Sequence, residues 1–324
     1  VEPSVYLYQI LDEQAERLEQ GTSFTYLEAI AKIGNGLFTG EAPRQLDATA
    51  FRKVYEQFKQ QQWLPEDVRK AFRLACLKGM KGQVQAHHEM TPDSVGFYMS
   101  YLVNKCMSNR EEACELLDIA AGAGNLLFTI CNHAASPVHA SGIEVDETLL
   151  HIAYASANLQ QREVSLLHQD SLKVTMPAVD MVVSDLPVGY YPDDDHAKTY
   201  RLAADKGRSY VHHLFIEQSI RMLKPAGYAV LLVPNHLFTS EQAPKLHRFL
   251  KEEALVLALL QLPTSMFQSE QHGKSILLLQ KKTTGTRIPR QALLAELPSF
   301  TNEEALKQMT QRMNVWFAEQ LGIE

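Results

Sequence analysis

The chain predicts an α/β architecture: a doubly wound, mainly parallel, seven-stranded Rossmann-like sheet preceded by a helical domain. Three observations carry that expectation. From Glu115 onward, short apolar runs alternate with helical segments. The first run closes in a turn with two glycines, Asp118-Ile119-Ala120-Ala121-Gly122-Ala123-Gly124-Asn125. Three later runs also close in an acid. Continuous apolar strands that alternate with helices are covered on both faces, which is the parallel arrangement.

The strands are expected at Leu116–Ala120, Val138–Ile143, Val164–His168, Met181–Ser184, Tyr228–Val233, Leu255–Leu262 and Ser275–Gln280. Helices fall between them, for example Leu149–Leu159 and His213–Leu223. Residues 1–85 read as a helical accessory domain with nothing at catalytic spacing. Val5, Leu7, Leu11 and Leu18 mark a first helix, Phe24, Leu27 and Ile30 continue the pattern, and Phe51, Val54 and Phe58 mark another. Pro65 opens the helix that carries Val68 and Phe72, because proline is tolerated in a first turn. Residues 86–285 form the sheet domain, and 286–324 a helical extension that includes Ala305 to Leu321.

At 324 residues, with 45% hydrophobic and 21% charged side chains, the chain is of ordinary globular composition. Its longest apolar runs are too short to span a bilayer. The opening VEPSVYLYQI has neither a basic n-region nor a long apolar h-region, so no signal peptide is expected. Cys76, Cys106, Cys114 and Cys131 form no C-x-x-C pair, and buried thiols in a reducing cytoplasm are the simplest reading. The formal net charge of −7 lowers the expectation of tight unaided DNA binding, which usually needs a basic face.

Asp118 should stand at the carboxyl end of its strand, where open parallel sheets place their ligand crevice. Gly122 and Gly124 let the backbone turn with positive φ, and the helix opening at Asn125 presents unpaired N–H groups. The turn lacks the third glycine of the dinucleotide fingerprint, with Leu127 in its place, and it has no P-loop ending. Glu144, 26 residues beyond Asp118, ends the second strand beside Val145 and suits ribose hydroxyls. Asp170-Ser171 ends the third and could meet an adenine amine. Asp185 ends the fourth. Four acids facing one crevice are hard to reconcile with four solvated loops.

The remaining features are weaker. Thr91 is a plausible N-cap, with Pro92 as the first helical residue. His87-His88 and Asp193-Asp194-Asp195 hint at metal, but no further ligand stands at a recognisable spacing and solvated polar runs explain both, so no metal is expected. The segment Ala197 to Ser209, with Lys198, Arg201, Lys206 and Arg208, reads equally as a cationic flap and as a surface loop.

Thr91-Pro92, then the Asp118 to Asn125 turn, then Asp185-Leu186-Pro187-Val188 follow the order seen in amino-group DNA methyltransferases. The pattern is most similar to the N6-adenine enzymes related to type I restriction-modification methylase subunits. It extends through Phe215-Ile216-Glu217, Leu223 to Gly227, Val233 to Phe238 and Leu262-Pro263…Phe267, so it spans roughly residues 85–282.

That resemblance implies S-adenosylmethionine as cofactor, held by Thr91, Asp118, Ala120, Gly122, Gly124, Asn125, Glu144, Val145, Asp170 and Ser171. It implies catalysis at Asp185, Leu186, Pro187 and Val188, with a flipped DNA adenine as substrate. The family places proline second and a base-stacking aromatic fourth in this motif; here Leu186 and Val188 stand there. Gly189, Tyr190 and Tyr191 follow as the substrate side, with a tyrosine to take over the stacking. No segment reads as a target-recognition domain, so specificity would fall to the N-terminal helices or a partner subunit. The alternatives are a same-fold methyltransferase acting on RNA or a protein amide nitrogen, and a cofactor-binding protein whose catalysis has lapsed.

Overall fold

The computed structural model describes residues 2–81 and 90–324; the His87-His88 pair lies outside the described residues. Four helices come first: α1 (Pro3–Gln20), α2 (Tyr26–Thr39), α3 (Ala48–Lys59) and α4 (Pro65–Met80). Their starts follow from local chemistry. Thr25 and Glu28 exchange side-chain and backbone hydrogen bonds in a capping box ahead of α2, and Pro65 sits in the first turn of α4. Leu7, Leu11, Ile30, Ile33, Val68 and Phe72 build a core that extends into the sheet domain through Leu149, Ile152 and Ala155. A Cβ on Gly34 would lie 2.8 Å from Phe72 and 2.9 Å from Ala155, so only glycine lets α2 approach that closely. The helical domain is thus packed onto the sheet domain.

The rest alternates as expected: α5 (Asp93–Met107), β1 (Cys114–Asp118), α6 (Asn125–Asn132), β2 (Val138–Glu144), α7 (Glu147–Leu159), β3 (Val164–His168), β4 (Val179–Asp185), a short α8 (Asp194–Ala197), α9 (Val211–Met222), β5 (Leu223–Pro234), α10 (Ala243–Glu253), β6 (Ala254–Gln261), β7 (Lys274–Lys281), β8 (Leu293–Glu296) and α11 (Glu303–Trp316). The strand order is β3-β2-β1-β4-β5-β7-β6-β8. All pairings are parallel except the two made by β7. Among the described residues the sheet has eight strands, which corrects the expected seven. The additional strand, Leu293–Glu296, lies in the stretch expected to be a helical extension and pairs along β6. Four residues are too few to carry a readable period.

Alternate residues of each central strand enter opposite apolar layers. Val230, Leu232 and Leu278 meet α5, α6 and α11 on one face; Leu231, Val233 and Leu277 meet α9 and α10 on the other. The chain leaves β1 toward β2 on one side and returns at β4 on the other, so the carboxyl ends of β1 and β4 form the switch point of the sheet. All four cysteines are buried and unbonded. No helix among the described residues is long and apolar enough to cross a membrane.

Candidate active site

The β1–α6 turn is built by its glycines. Gly124 has φ 85°, and a Cβ there would stand 2.4 Å from the ring of the buried Phe128. Gly122 has φ 54° and faces open space, so the loop backbone is approachable at that point. Its N–H donates to Glu144 Oε2 at 2.7 Å, while Oε1 accepts from the Asp146 N–H at 2.8 Å. One carboxylate at the end of β2 therefore ties both loops and keeps a second lone pair on each oxygen. Ser171 donates its hydroxyl to the Ile119 carbonyl at 2.5 Å, fastening the end of β3 to the same turn. Val145 stands exposed at the rim, and its carbonyl meets a His168 ring nitrogen at 2.9 Å.

Asp118 is fully buried and accepts from the Ala120 N–H at 3.0 Å and the Ser184 hydroxyl at 2.9 Å, with no cation beside it among the described residues. Burial, reinforced by the charges of Glu144 and Asp185, pushes its carboxyl up to about 7 against those two donors. A buried acid in that condition is stabilised by any cation that enters the crevice.

Asp185 lies at the end of β4. Thr91 donates its hydroxyl to Oδ2 at 2.8 Å, and Lys274 its ammonium to Oδ1 at 2.9 Å. Thr91 was expected to cap α5. Instead Pro92 is the capping position, with no side-chain bond, and the hydroxyl turns to Asp185. Lys274 was missed by sequence reasoning. It opens β7 directly opposite Pro234, the last residue of β5, and β5 neighbours β4, so register alone brings it to the site.

The residues after Asp185 divide by burial. Leu186 is in the core and bonds through its N–H to the Leu232 carbonyl, so it offers the site only backbone. Gly189 has φ 134° and accepts from the Val211 N–H at 2.9 Å. Tyr190 is 54% exposed and stacks on Tyr210 with centroids 5.1 Å apart and planes at 13°. Tyr191, expected beside it on the substrate side, is buried instead, with its hydroxyl 2.5 Å from Asp170 Oδ2. Asp170 thus meets a tyrosine within the chain, while its other oxygen accepts from the Leu172 N–H. A cleft of about 320 Å³ opens beside Lys274, lined by Asn235, Gln261, Leu262, Phe267 and Gly273.

The cationic segment before Tyr210 is pinned. Arg201 pairs with Glu252 and Glu253 of α10, and Lys198 with Asp195. Asp193 accepts from the His196 N–H and pairs with Lys173 at 2.5 Å. Two of the four cations counted toward a flap, Lys198 and Arg201, are therefore paired within the chain, and Lys206 and Arg208 stand exposed.

Comparison with known proteins gives the family and the fold. Residues 81–317 match the N-6 DNA methylase family model, and residues 5–80 match the YtxK N-terminal helical domain. Bacillus subtilis YtxK is 46% identical over 319 residues, covering 96% of both chains. A crystal structure from Listeria monocytogenes, assigned to the class I S-adenosylmethionine-dependent methyltransferases, is 38% identical; the match covers 98% of this chain and 99% of that one, with a TM-score of 0.91. The methyltransferase subunit of a Streptococcus thermophilus type I restriction-modification system shares the fold at 16% identity, covering 97% of this chain and 74% of its own, with a TM-score of 0.66. With a doubly wound sheet, an acid at the crevice end of each of its first four strands and a family model that spans most of its length, the chain belongs to the N-6 DNA methylase family, whose methyl donor is S-adenosylmethionine.

Proposed function

We propose that this chain methylates the N6 amine of adenine in DNA, at Asp185. The observation that carries the reading is the placement of Asp185: it ends the strand next to Asp118, and Thr91 and Lys274 fix its carboxylate from two sides. Both oxygens keep lone pairs for a further donor.

The residues present fit S-adenosylmethionine. Asp118 is a buried acid with no cation beside it among the described residues, Gly122 faces open space, and Glu144 offers lone pairs beside the loop. On this reading Asp118, Ala120, Gly122, Gly124 and Asn125 hold the methionine side, Glu144 with Val145 the ribose, and Asp170-Ser171 the adenine end. When bound, the cofactor supplies an electrophilic methyl group.

The adenine amine is a poor nucleophile because its lone pair is conjugated with the ring. Asp185 accepts a hydrogen bond from that amine, assisted by the backbone carbonyls of Leu186 and Pro187, and this draws the lone pair out of conjugation. The nitrogen would then take the methyl carbon as the methyl–sulfur bond breaks, that bond's electron pair staying on the departing neutral thioether, and the surplus amine proton would pass to solvent. Preorganised acceptors of this kind supply much of the acceleration, together with positioning. Val188 cannot stack on a base, but Tyr190 can, because Tyr210 supports one ring face and the residue is exposed. Exposed Lys206 and Arg208 precede Tyr210 and suit phosphates. Target choice falls to a partner subunit or to the helical domain.

The test is transfer of labelled methyl groups to plasmid DNA, to RNA and to protein, followed by digestion and mass spectrometry. N6-methyladenine in DNA, absent with Asp185→Ala, is the expected result. Label in RNA or in a protein amide would replace the DNA reading. Retained cofactor binding with no transfer to any of the three would establish a protein whose catalysis has lapsed.

A further inference from the structure

Arg69 heads the large side chains that are fully buried, and it belongs to α4 of the helical domain. Methyl transfer by itself gives no reason for a guanidinium there. Burying one is costly unless its N–H groups find acceptors. Nε and Nη2 donate to Glu66, one turn earlier, at 2.9 and 2.6 Å, and Nη1 donates to Asp93 of α5 at 2.9 Å. Nη1 also donates to Asn125 Oδ1 at 2.7 Å, and this bond leaves the helical domain for the first helical residue after the glycine turn.

That last bond orients an amide. With Oδ1 committed to Arg69, Asn125 points Nδ2 at the Thr91 carbonyl, 3.2 Å away. Thr91 in turn donates its hydroxyl to Asp185 Oδ2 at 2.8 Å. Four residues from four segments form one directed sequence, Arg69 to Asn125 to Thr91 to Asp185. Lys274 closes its far end from the other oxygen. The planar fork of arginine can serve two carboxylates and an amide together; a lysine ammonium on a flexible stem is a poor substitute.

We propose that Arg69 is a positioning residue through which the helical domain sets Asn125 on the cofactor side and Asp185 on the substrate side. The role of Asp185 rests on the methyl-transfer reading; the cofactor-side half does not. The helical domain is then a structural part of the site and contributes a residue to its order, where sequence reasoning expected none.

Arg69→Lys is the first variant to test. It keeps a cation between Glu66 and Asp93, but that ammonium does not also reach Asn125. S-adenosylmethionine binding measured by calorimetry should weaken and methyl-transfer kcat should fall about ten-fold, the loss of one charge-assisted hydrogen bond, while KM for nucleic acid stays put. The decisive experiment is a double-mutant cycle with Thr91→Val. Arg69 and Thr91 act through Asn125, so independent effects would multiply, whereas two breaks in one sequence cost little more than one. A double variant no worse than the poorer single in kcat supports the proposal. Multiplied losses, or an Arg69→Lys protein with unchanged Kd and kcat, overturn it. If Arg69→Lys fails to fold, Asn125→Asp keeps the acceptor for Arg69 but loses the donor to Thr91; an unchanged rate and affinity there also overturn the proposal. If the wild-type protein transfers no methyl group, the adenine reading fails on its own, and cofactor affinity in Arg69→Lys, Asn125→Asp and their double variant still decides the role of Arg69: losses that do not multiply support it and multiplied losses overturn it.

Discussion

Asp118 and Asp180 stand at opposite ends of neighbouring strands in one sheet, both buried, and their surroundings have opposite effects. At the amino edge, Asp180 accepts from the Glu115 N–H at 2.9 Å, from Arg110 at 3.0 Å and from Lys224 at 3.1 Å. Burial pushes its carboxyl up, but those three donors outweigh it and hold the group below the usual carboxylate range. At the carboxyl edge, Asp118 has one N–H and one hydroxyl, and burial wins. The difference separates an acid matched by cations from an acid matched by none among the described residues, and on the proposed reading the second is the one that meets the cofactor. Parallel sheets gather their loops and helix N-termini at the carboxyl edge, so that is where an unmatched charge can be of use.

The contrast breaks first at Asp118→Asn. In the folded chain this carboxyl keeps its proton up to about pH 7, whereas in the unfolded chain it releases it near 3.8. The wild-type residue therefore contributes stability at low pH that is lost as pH rises through about 7. Asparagine carries no such loss. Unfolding at pH 8 should show the variant more stable by up to about 4 kcal/mol, with the gain fading as pH falls toward about 4. Its affinity for S-adenosylmethionine should drop at the same time, an opposition between stability and function that chemical denaturation and calorimetry can follow in one preparation.

Asp180→Ala should do the reverse. Arg110 and Lys224 are partly exposed and recover water, which limits the damage to about 1–3 kcal/mol of stability. Cofactor affinity should stay within two-fold or so of wild type, since no part of the crevice is touched. A large affinity loss in folded protein would mean that the two edges are coupled through the strands.

The smallest expected effect is at Tyr190→Ala. One ring face leans on Tyr210 and the residue is half exposed, so folding should barely change. Loss of base stacking, worth about 1–3 kcal/mol, should raise KM for a nucleic-acid substrate roughly ten-fold or more and leave cofactor affinity alone. An unchanged KM would remove Tyr190 from the substrate side.

The strands of the central sheet were legible because both of their faces are buried and they read as unbroken apolar runs. The glycine turn and the acids at strand ends were legible because chain geometry forces both to one edge. What escaped was set by partners distant in sequence. Thr91 looks like a helix cap, and only Asp185, 94 residues later, turns its hydroxyl elsewhere. Arg69 sits in an amphipathic helix, where an arginine ordinarily extends to water; Glu66, Asp93 and Asn125 hold it inside. Lys274 enters through the antiparallel register of β7, which no local pattern announces. Tyr191 resembles its neighbour Tyr190 in sequence, but adjacent residues on extended backbone face opposite sides, so one is exposed and the other reaches Asp170.

The most direct test of the contrast between the two edges is calorimetric titration of S-adenosylmethionine into wild-type protein, Asp118→Asn and Asp180→Asn at neutral pH. Tight binding that is lost or weakened about ten-fold or more in Asp118→Asn and preserved in Asp180→Asn is the predicted result. Equal binding by all three proteins would contradict it and leave the buried acid of the glycine turn without a role in holding the cofactor.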